Sequence, residues 1–338
     1  MSLLTKPAVL PMARFSTVLV DEEHRFESWR SLMGSGHEVE ASAHGFSGHV
    51  RSVHLDRMLL HVMDASAQSV SRTQQRIRRD GLEHFVLHLN NFDTKAETPD
   101  GEVALLGGRV SVNDLARPSF RGSVPEKNSV ILSLSRDLVA EAVGFTDGLH
   151  GLVLDSEAGL LLADHMRALA ARADAIPVPA AASIARATAH LFAACVLERK
   201  GIAPRPLENN AALLRAKHFI ERHLGSPELS PEDIARAAAM SRTTMFRLFQ
   251  PLGGVSAYVL RRRLARIKAC LTDPGEQRSL ASLAYDHGFS SLSHFSRTFR
   301  QHYDCTPTDL RMMGADIALS TASAGQARHF ADWIRGLG

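Results

Sequence analysis

The spacing of apolar positions changes character along this chain. Up to about residue 150, short apolar segments alternate with turn formers. The stretches 46–55, 57–63, 69–77, 84–92 and 130–135 are rich in Val, Leu, Ile, Phe and His, and Arg79-Asp80-Gly81, Pro99-Asp100-Gly101 and Gly107-Gly108 punctuate them. Runs of this length bounded by Gly, Pro and Asp read as strands. Over 129–135 the chain alternates Ser-Val-Ile-Leu-Ser-Leu-Ser, the pattern of a half-buried strand. Turns about ten residues apart predict a small barrel or sandwich. One early helix over 22–32 carries Phe26 and Trp29 three apart, on one face.

Beyond residue 136 the period becomes helical. The segment 156–172 sets Leu160, Leu161, Met166 and Leu169 among alanines, and 180–199 carries Ile184, Leu191, Phe192, Val196 and Leu197. Pro177 and Pro179 separate them, which predicts two antiparallel helices. Their apolar content exceeds what one buried face needs, so the pair is expected to make a dimer contact. Lys200-Gly201-Ile202-Ala203-Pro204-Arg205-Pro206 reads as a linker, and from there the chain reads as helical to about Met313.

Inside that helical stretch the pattern repeats. Ile234-Ala235, Met240-Ser241 and Met245-x-Arg247-x-Phe249 recur as Leu283-Ala284, Phe289-Ser290 and Phe295-x-Arg297-x-Phe299. Each copy reads as a short helix, a tight turn and a second helix: a duplicated helix-turn-helix. Gly288 stands in the second turn, where a left-handed backbone costs little, and Ala239 stands in the first. Ser241, and Ser290 or Ser291, suit the N-caps of the second helices. In this motif the second helix enters the major groove of DNA. On the first such helix, 242–250, Met245, Leu248 and Phe249 form the inner face and leave Arg242, Thr243, Thr244 and Arg247 outward. On the second, 291–302, Phe295 and Phe299 point inward and leave Ser291, Leu292, Ser293, His294 and Arg297 to the groove. Arg247 and Arg297 are equivalent, and arginine either reads guanine or grips phosphate. Between the copies, Leu260, Leu264, Ile267 and Leu271 make 256–273 an amphipathic helix. At about 1.5 Å per residue it spans ~27 Å, enough to hold two reading helices about one turn of DNA apart. Arg261, Arg262, Arg263 and Arg266 flank its apolar stripe; Arg261, Arg262 and Arg266 are the candidate phosphate contacts.

Charge sharpens this picture. The 338 residues carry 39 Lys and Arg against 36 Asp and Glu, but 205–315 holds 16 against 10, so a net +6 there faces −3 elsewhere. A basic third of this kind is the footprint of a polyanion-binding module.

These stretches carry a resemblance. Leu229-Ser230-x-x-x-Ile234-Ala235, Ser241-Arg242-x-x-x-x-Arg247-x-Phe249, Tyr258-x-x-x-Arg262-Arg263-Leu264-x-x-x-Lys268, the run from Ala284 to Arg300, and Thr306-Pro307-x-x-x-Arg311 make residues 211–312 resemble the DNA-binding domain of the AraC/XylS-type transcription regulators. The resemblance implies seven helices with two helix-turn-helix units. The family often has Gly where Ala239 and Asp304 stand. The N-terminal region, through Phe26-x-x-Trp29-Arg30, Val70-Ser71-Arg72-Thr73 and Val103–Gly108 with Val112-x-Asp114-x-x-Arg117-Pro118, resembles the cupin-like sensor domain of many such regulators. That resemblance implies a small organic effector or a dimerisation role, and it admits RNA polymerase as a further partner.

The expected fold class is thus α+β: a cupin-like β-barrel over 1–150, a helical dimerisation pair over 151–200, a linker over 201–210, an all-α double helix-turn-helix domain over 211–314, and a tail over 315–338. Phe26, Trp29 and Arg72 are the candidate effector contacts, and Arg76 and Arg121 are further arginines that could face a barrel interior. No metal and no cofactor is expected: His-x-His and Cys-x-x-Cys are missing, and His84 and His88 lie ~13 Å apart along a strand. P-loop, dinucleotide and nucleophile-elbow patterns are also missing. Cys195, Cys270 and Cys305 stand far apart, fitting reduced thiols in the cytoplasm. No secretory signal opens the sequence, and no apolar run approaches the ~20 residues of a membrane span. The reading is a cytoplasmic DNA-binding transcription regulator, not an enzyme, binding double-stranded DNA as a homodimer under control of a small effector. Two alternatives stay open: a cupin-type enzyme with an accessory DNA-binding domain, and a regulator whose N-terminal domain only oligomerises.

Overall fold

The computed structural model describes residues 10–34, 36–42, 44–202, 207–272, 275–303, 305–312, 333–334 and 336–337. Most of the expected tail, and the middle of the expected linker, lie outside them. The chain divides into two units. One takes residues 1–143, 148–203 and 325–338; the other takes 144–147 and 204–324.

The first unit contains β1 (Met12–Ser16), α1 (Arg25–Met33), β2 (Glu38–Ala41), β3 (Gly48–Leu55), β4 (Met58–Arg72), α2 (Gln74–Asp80), β5 (Phe85–Leu89), β6 (Thr94–Thr98), β7 (Gly101–Leu105), β8 (Val110–Asp114), β9 (Ser119–Leu134), α3 (Arg136–Val143), β10 (Val153–Leu154), α4 (Glu157–Arg172) and α5 (Ala181–Lys200). The strands form one antiparallel sheet in the order β1-β3-β4-β9-β5-β8-β10, with β2 beside β4 and the β6–β7 hairpin laid on β9. Among the described residues β1 and β10 do not pair with each other, so the sheet is open rather than a closed barrel.

Two expected strands change shape. The stretches 57–63 and 69–77 become one fifteen-residue strand, β4, followed by a helix. Thr73 supplies the reason: its hydroxyl accepts from the Arg76 N–H and caps α2, and Gly81 in the left-handed region ends it. The alternation over 129–135 also does not mark a half-buried strand. Val130, Leu132 and Leu134 are buried on one face, and Ser129 and Ser133 are buried on the other. β5 behaves alike: Phe85, Leu87 and Leu89 share a buried face, while Val86 and His88 turn to the opposite one. On this second face Val86 and His88 of β5 and Ile131 and Ser133 of β9 line an internal cavity, not solvent.

α4 and α5 pack on each other, and α5 also packs on α3. By length and composition, residues 178–200 could cross a membrane. Here the apolar side chains of α5, Ala189, Phe192, Val196 and Leu197 among them, are buried within the unit, as in the core helix of a globular fold. Phe192, expected at a dimer contact, is fully buried. The large apolar residue that the pair exposes is Leu161, at 62%. The C-terminal Ile334 and Leu337 join the cluster of Trp29, Leu32, Val39, Phe46 and Leu59, and Trp333 lies against His54 with ring centroids 5.6 Å apart.

The second unit is helical: α6 (Leu207–Arg222), α7 (Pro231–Ala237), α8 (Arg242–Phe249), α9 (Val255–Thr272), α10 (Leu280–Asp286), α11 (Leu292–Tyr303) and α12 (307–312). α7–α8 and α10–α11 are the two helix-turn-helix copies, and α9 runs between them in sequence.

Candidate nucleic-acid interface and ligand cavity

The two turns are built alike. Ala239 N–H donates to the Arg236 carbonyl and Met240 N–H to that of Ala235; 49 residues on, Gly288 donates to Tyr285 and Phe289 to Ala284. Both turn residues have positive φ, +52° at Ala239 and +77° at Gly288. Ser241 caps α8 by accepting from Thr244 N–H at 3.1 Å. In the second copy Ser291 does this work, accepting from His294 N–H at 3.4 Å, which settles the choice between Ser290 and Ser291.

The caps set the outward faces. On α8, Met245, Leu248 and Phe249 are buried, while Arg242, Thr243 and Arg247 are exposed and Thr244 is half-buried. Arg242 is braced by Glu232 at 2.5 Å. On α11, Phe295 and Phe299 are buried; Leu292, Ser293, His294 and Arg297 are exposed, and Ser291 just before the helix is half-buried. No hydrogen bond or ion pair ties Arg247 or Arg297 among the described residues, so both guanidinium groups are free to meet a ligand in solvent.

The arginines of α9 divide. Arg261 donates to the Leu252 carbonyl, and Arg262 and Arg266 share Glu221 at 2.5 and 3.1 Å. Arg266 keeps 56% of its side chain exposed. Arg263, read from the sequence with this group, is instead an internal clamp. It donates to the carbonyls of Leu224, Ser226 and Gly288 at 2.9, 2.6 and 3.0 Å and joins α9 to the second turn.

The first unit encloses a cavity of about 120 Å³. His61 from β4, Val86 and His88 from β5, Ser111 from β8 and Arg121 and Ser133 from β9 are among its lining residues, on β5 and β8 one side chain in two. Arg121 bonds His88 Nδ1 at 3.2 Å and pairs with Glu126, which also accepts from the Ser129 hydroxyl. Burial alone would raise the Glu126 pKa; His88, Arg121 and Ser129 outweigh it and hold the carboxyl well below the ordinary range.

The expected effector contacts are not in this wall. Arg72 is 1% exposed, and its guanidinium is committed to Asp80 and to the carbonyls of Gly36, Leu82 and Leu115. It ties loop to sheet, and it has no face toward a ligand. Trp29 is fully buried, donates to Gln68 Oε1 at 2.8 Å and packs on Phe46. Phe26 meets Phe46 edge-on at 5.2 Å. Both aromatics are core. The wall arginine is Arg121, set by β9. The strand histidines and serines mark the rest, and their signal in the sequence was the polar half of an alternation read as solvent-facing. Among the described residues no group of three or more His, Cys, Asp or Glu could hold a metal ion.

Residues 234–313 match a family profile described as a helix-turn-helix domain. The chain is 35% identical over 115 residues to the transcriptional activator RhrA of Rhizobium meliloti (strain 1021), which covers 34% of this chain and 36% of RhrA. It is 26% identical over 262 residues to the transcriptional activator NphR of Rhodococcus sp, covering 73% and 76% of the two. The crystal structure of the AraC-like transcriptional activator CuxR superposes with a TM-score of 0.53 at 26% identity, over 76% of this chain and 94% of that one. The chain therefore spans about a third of the length of RhrA, and most of NphR and CuxR. Its second unit carries a helix-turn-helix domain similar to that of these transcriptional activators.

Proposed function

We propose that the protein is a cytoplasmic transcription regulator that binds double-stranded DNA through α8 and α11 and answers to a small organic effector held in the cavity of the first unit. The observation that carries this reading is the pair Arg247 and Arg297: equivalent positions, both exposed, both unpartnered among the described residues, each on the second helix of its copy. Arg242, Thr243, Thr244, Ser291, Leu292, Ser293 and His294 complete the two reading faces. Arg266 serves best as the phosphate contact of α9, since it keeps 56% of its side chain exposed while Arg262, which shares Glu221 with it, keeps 23%. The names of RhrA, NphR and CuxR as transcriptional activators support the regulatory half. A homodimer would form through α4 and α5 with Leu161 at its contact, and RNA polymerase would be met on the DNA.

Footprinting on the protein's own upstream DNA, with Arg247→Ala, Arg297→Ala and the double variant, tests the reading. Each single change is expected to weaken binding by about 1–3 kcal/mol, with effects mapping to sites about one helical turn apart. Full specific binding by the double variant would sink it.

A further inference from the structure

The polar groups of the cavity are unequally satisfied. His61 bonds the hydroxyls of Ser52 at 2.9 Å and Ser133 at 3.5 Å, and His88 meets Arg121 and Glu126. His84 is different. It is 1% exposed, it lines the cavity, and among the described residues neither ring nitrogen has a hydrogen-bond partner. A neutral imidazole offers one donor and one acceptor. Leaving a buried donor or acceptor unmade costs about 1–3 kcal/mol, so such an orphan calls for a ligand or an ordered water.

The ligand's charge follows from the wall. Among the lining residues Arg121 is the one Arg, Lys, Asp or Glu, and Glu126 beside it pairs with its guanidinium. Burial first, and then the charges of Arg72, His37, His61 and Arg136, push the His84 pKa down to about 3. Burial likewise brings His61 to about 4, and burial with the nearby arginines brings His37 to about 3. These rings are neutral at pH 7. A carboxylate or ammonium entering here would lose its hydration without gaining an unspent opposite charge. Size and polarity follow from the rest. The volume of about 120 Å³ is close to the ~150 Å³ of an apolar cavity that holds benzene, so one six-membered ring fills it. Val50, Met63, Leu105, Ile131 and Ile334 supply apolar walls that disfavour a polyol.

We propose that the cavity takes a small uncharged ring alcohol or phenol, whose single hydroxyl pairs with an open ring nitrogen of His84. This rests on the reading of the cavity as the effector site.

The test is binding of four single-ring probes, phenol, toluene, benzoate and benzylamine, to the full chain by calorimetry, with His84→Leu alongside. Phenol is expected to bind roughly tenfold tighter than toluene, the worth of one hydrogen bond, and tighter than either charged probe. In His84→Leu, phenol and toluene should bind alike. Should that variant not fold, the imidazole nitrogen resonances of histidine-labelled wild-type protein give the same answer: phenol should shift one neutral ring that toluene leaves in place. Preference for benzoate or benzylamine, a phenol preference that survives His84→Leu, or imidazole resonances that phenol does not move would overturn this ligand class and leave the effector reading standing. Absence of binding by all four probes overturns the class too. The effector reading falls with it only if no small molecule of any class raises the protein's thermal stability.

Discussion

The two helix-turn-helix copies reach one backbone by different chemistry. Their turns share the same pair of N–H to carbonyl bonds and a left-handed residue at the same position, yet different arginines hold them: Arg215 donates to the Ala238 carbonyl in the first, Arg263 to the Gly288 carbonyl in the second. The second is locked by its surroundings: Arg263 donates to the Gly288 carbonyl, and Phe289, Phe295, Phe299 and Tyr303 follow one another with ring centroids 5.2, 5.5 and 4.7 Å apart. The first has a looser centre, Met245, Leu248 and Phe249, with one ring contact from Phe249 to Tyr258 at 5.4 Å. Its turn buries Ala238 but exposes Ala239, an alanine in a conformation suited to glycine. A duplicated motif therefore needs its backbone and its outward arginines in common, and it can fill its inside by any packing that closes.

The largest effect that would separate the copies is loss of an inner ring. Phe299 is fully buried between Phe295 and Tyr303, so Phe299→Ala is expected to cost about 3–5 kcal/mol. Phe249→Ala should cost less by about 1 kcal/mol, because one ring contact is lost instead of two. Urea unfolding of the two variants, followed in the full chain, checks the order; equal or reversed costs would remove the difference claimed for the two cores.

The turn itself gives the next effect. A methyl group on Gly288 would sit 2.7 Å from an Arg263 guanidinium nitrogen and 2.8 Å from the Leu224 carbonyl oxygen, at a φ of +77°. Gly288→Ala is expected to cost about 2.5–5 kcal/mol, from left-handed strain of ~1–2 and a lost charge-assisted bond of ~1.5–3. DNA binding should fall with it, because the turn positions α11. Thermal unfolding and footprinting of this variant together check the claim; an unchanged melting temperature would show that the clamp yields freely.

The same contrast explains what the sequence disclosed. The second unit was legible because a helix surface sorts by solvent: Met245 and Phe299 are buried and Arg247 and Arg297 exposed, as a 3.6-residue period demands. The sheet of the first unit was legible as strands and not as a site. With period two, an alternation such as Ser129 to Ser135 has the same appearance whether its polar half meets water or an enclosed cavity, so His84, His88 and Ser133 read as outward or incidental. Arg72 was misplaced for a related reason. A lone arginine in a strand carries no sign of the Asp80 that lies eight residues on and fixes it. Arg263 stood in a run of three arginines, and only the packing of α9 on the loop after α6 separates the clamp from its neighbours.

The smallest effect has the opposite sign. Ala239 is exposed, so its methyl group buries little, and at φ +52° it carries the strain that a Cβ brings to the left-handed region, about 1–2 kcal/mol. Glycine would remove that strain but give the unfolded chain more freedom, worth about 0.4–1 kcal/mol against folding. The balance favours Ala239→Gly by about 0.5–1 kcal/mol. The substitution leaves the Met240 to Ala235 bond and the two Arg215 bonds to the Ala238 carbonyl untouched. DNA affinity should therefore stay as it is while the urea midpoint rises. A midpoint that falls would mean that the first turn is held in place by its alanine after all, and that the two copies differ in backbone as well as in packing.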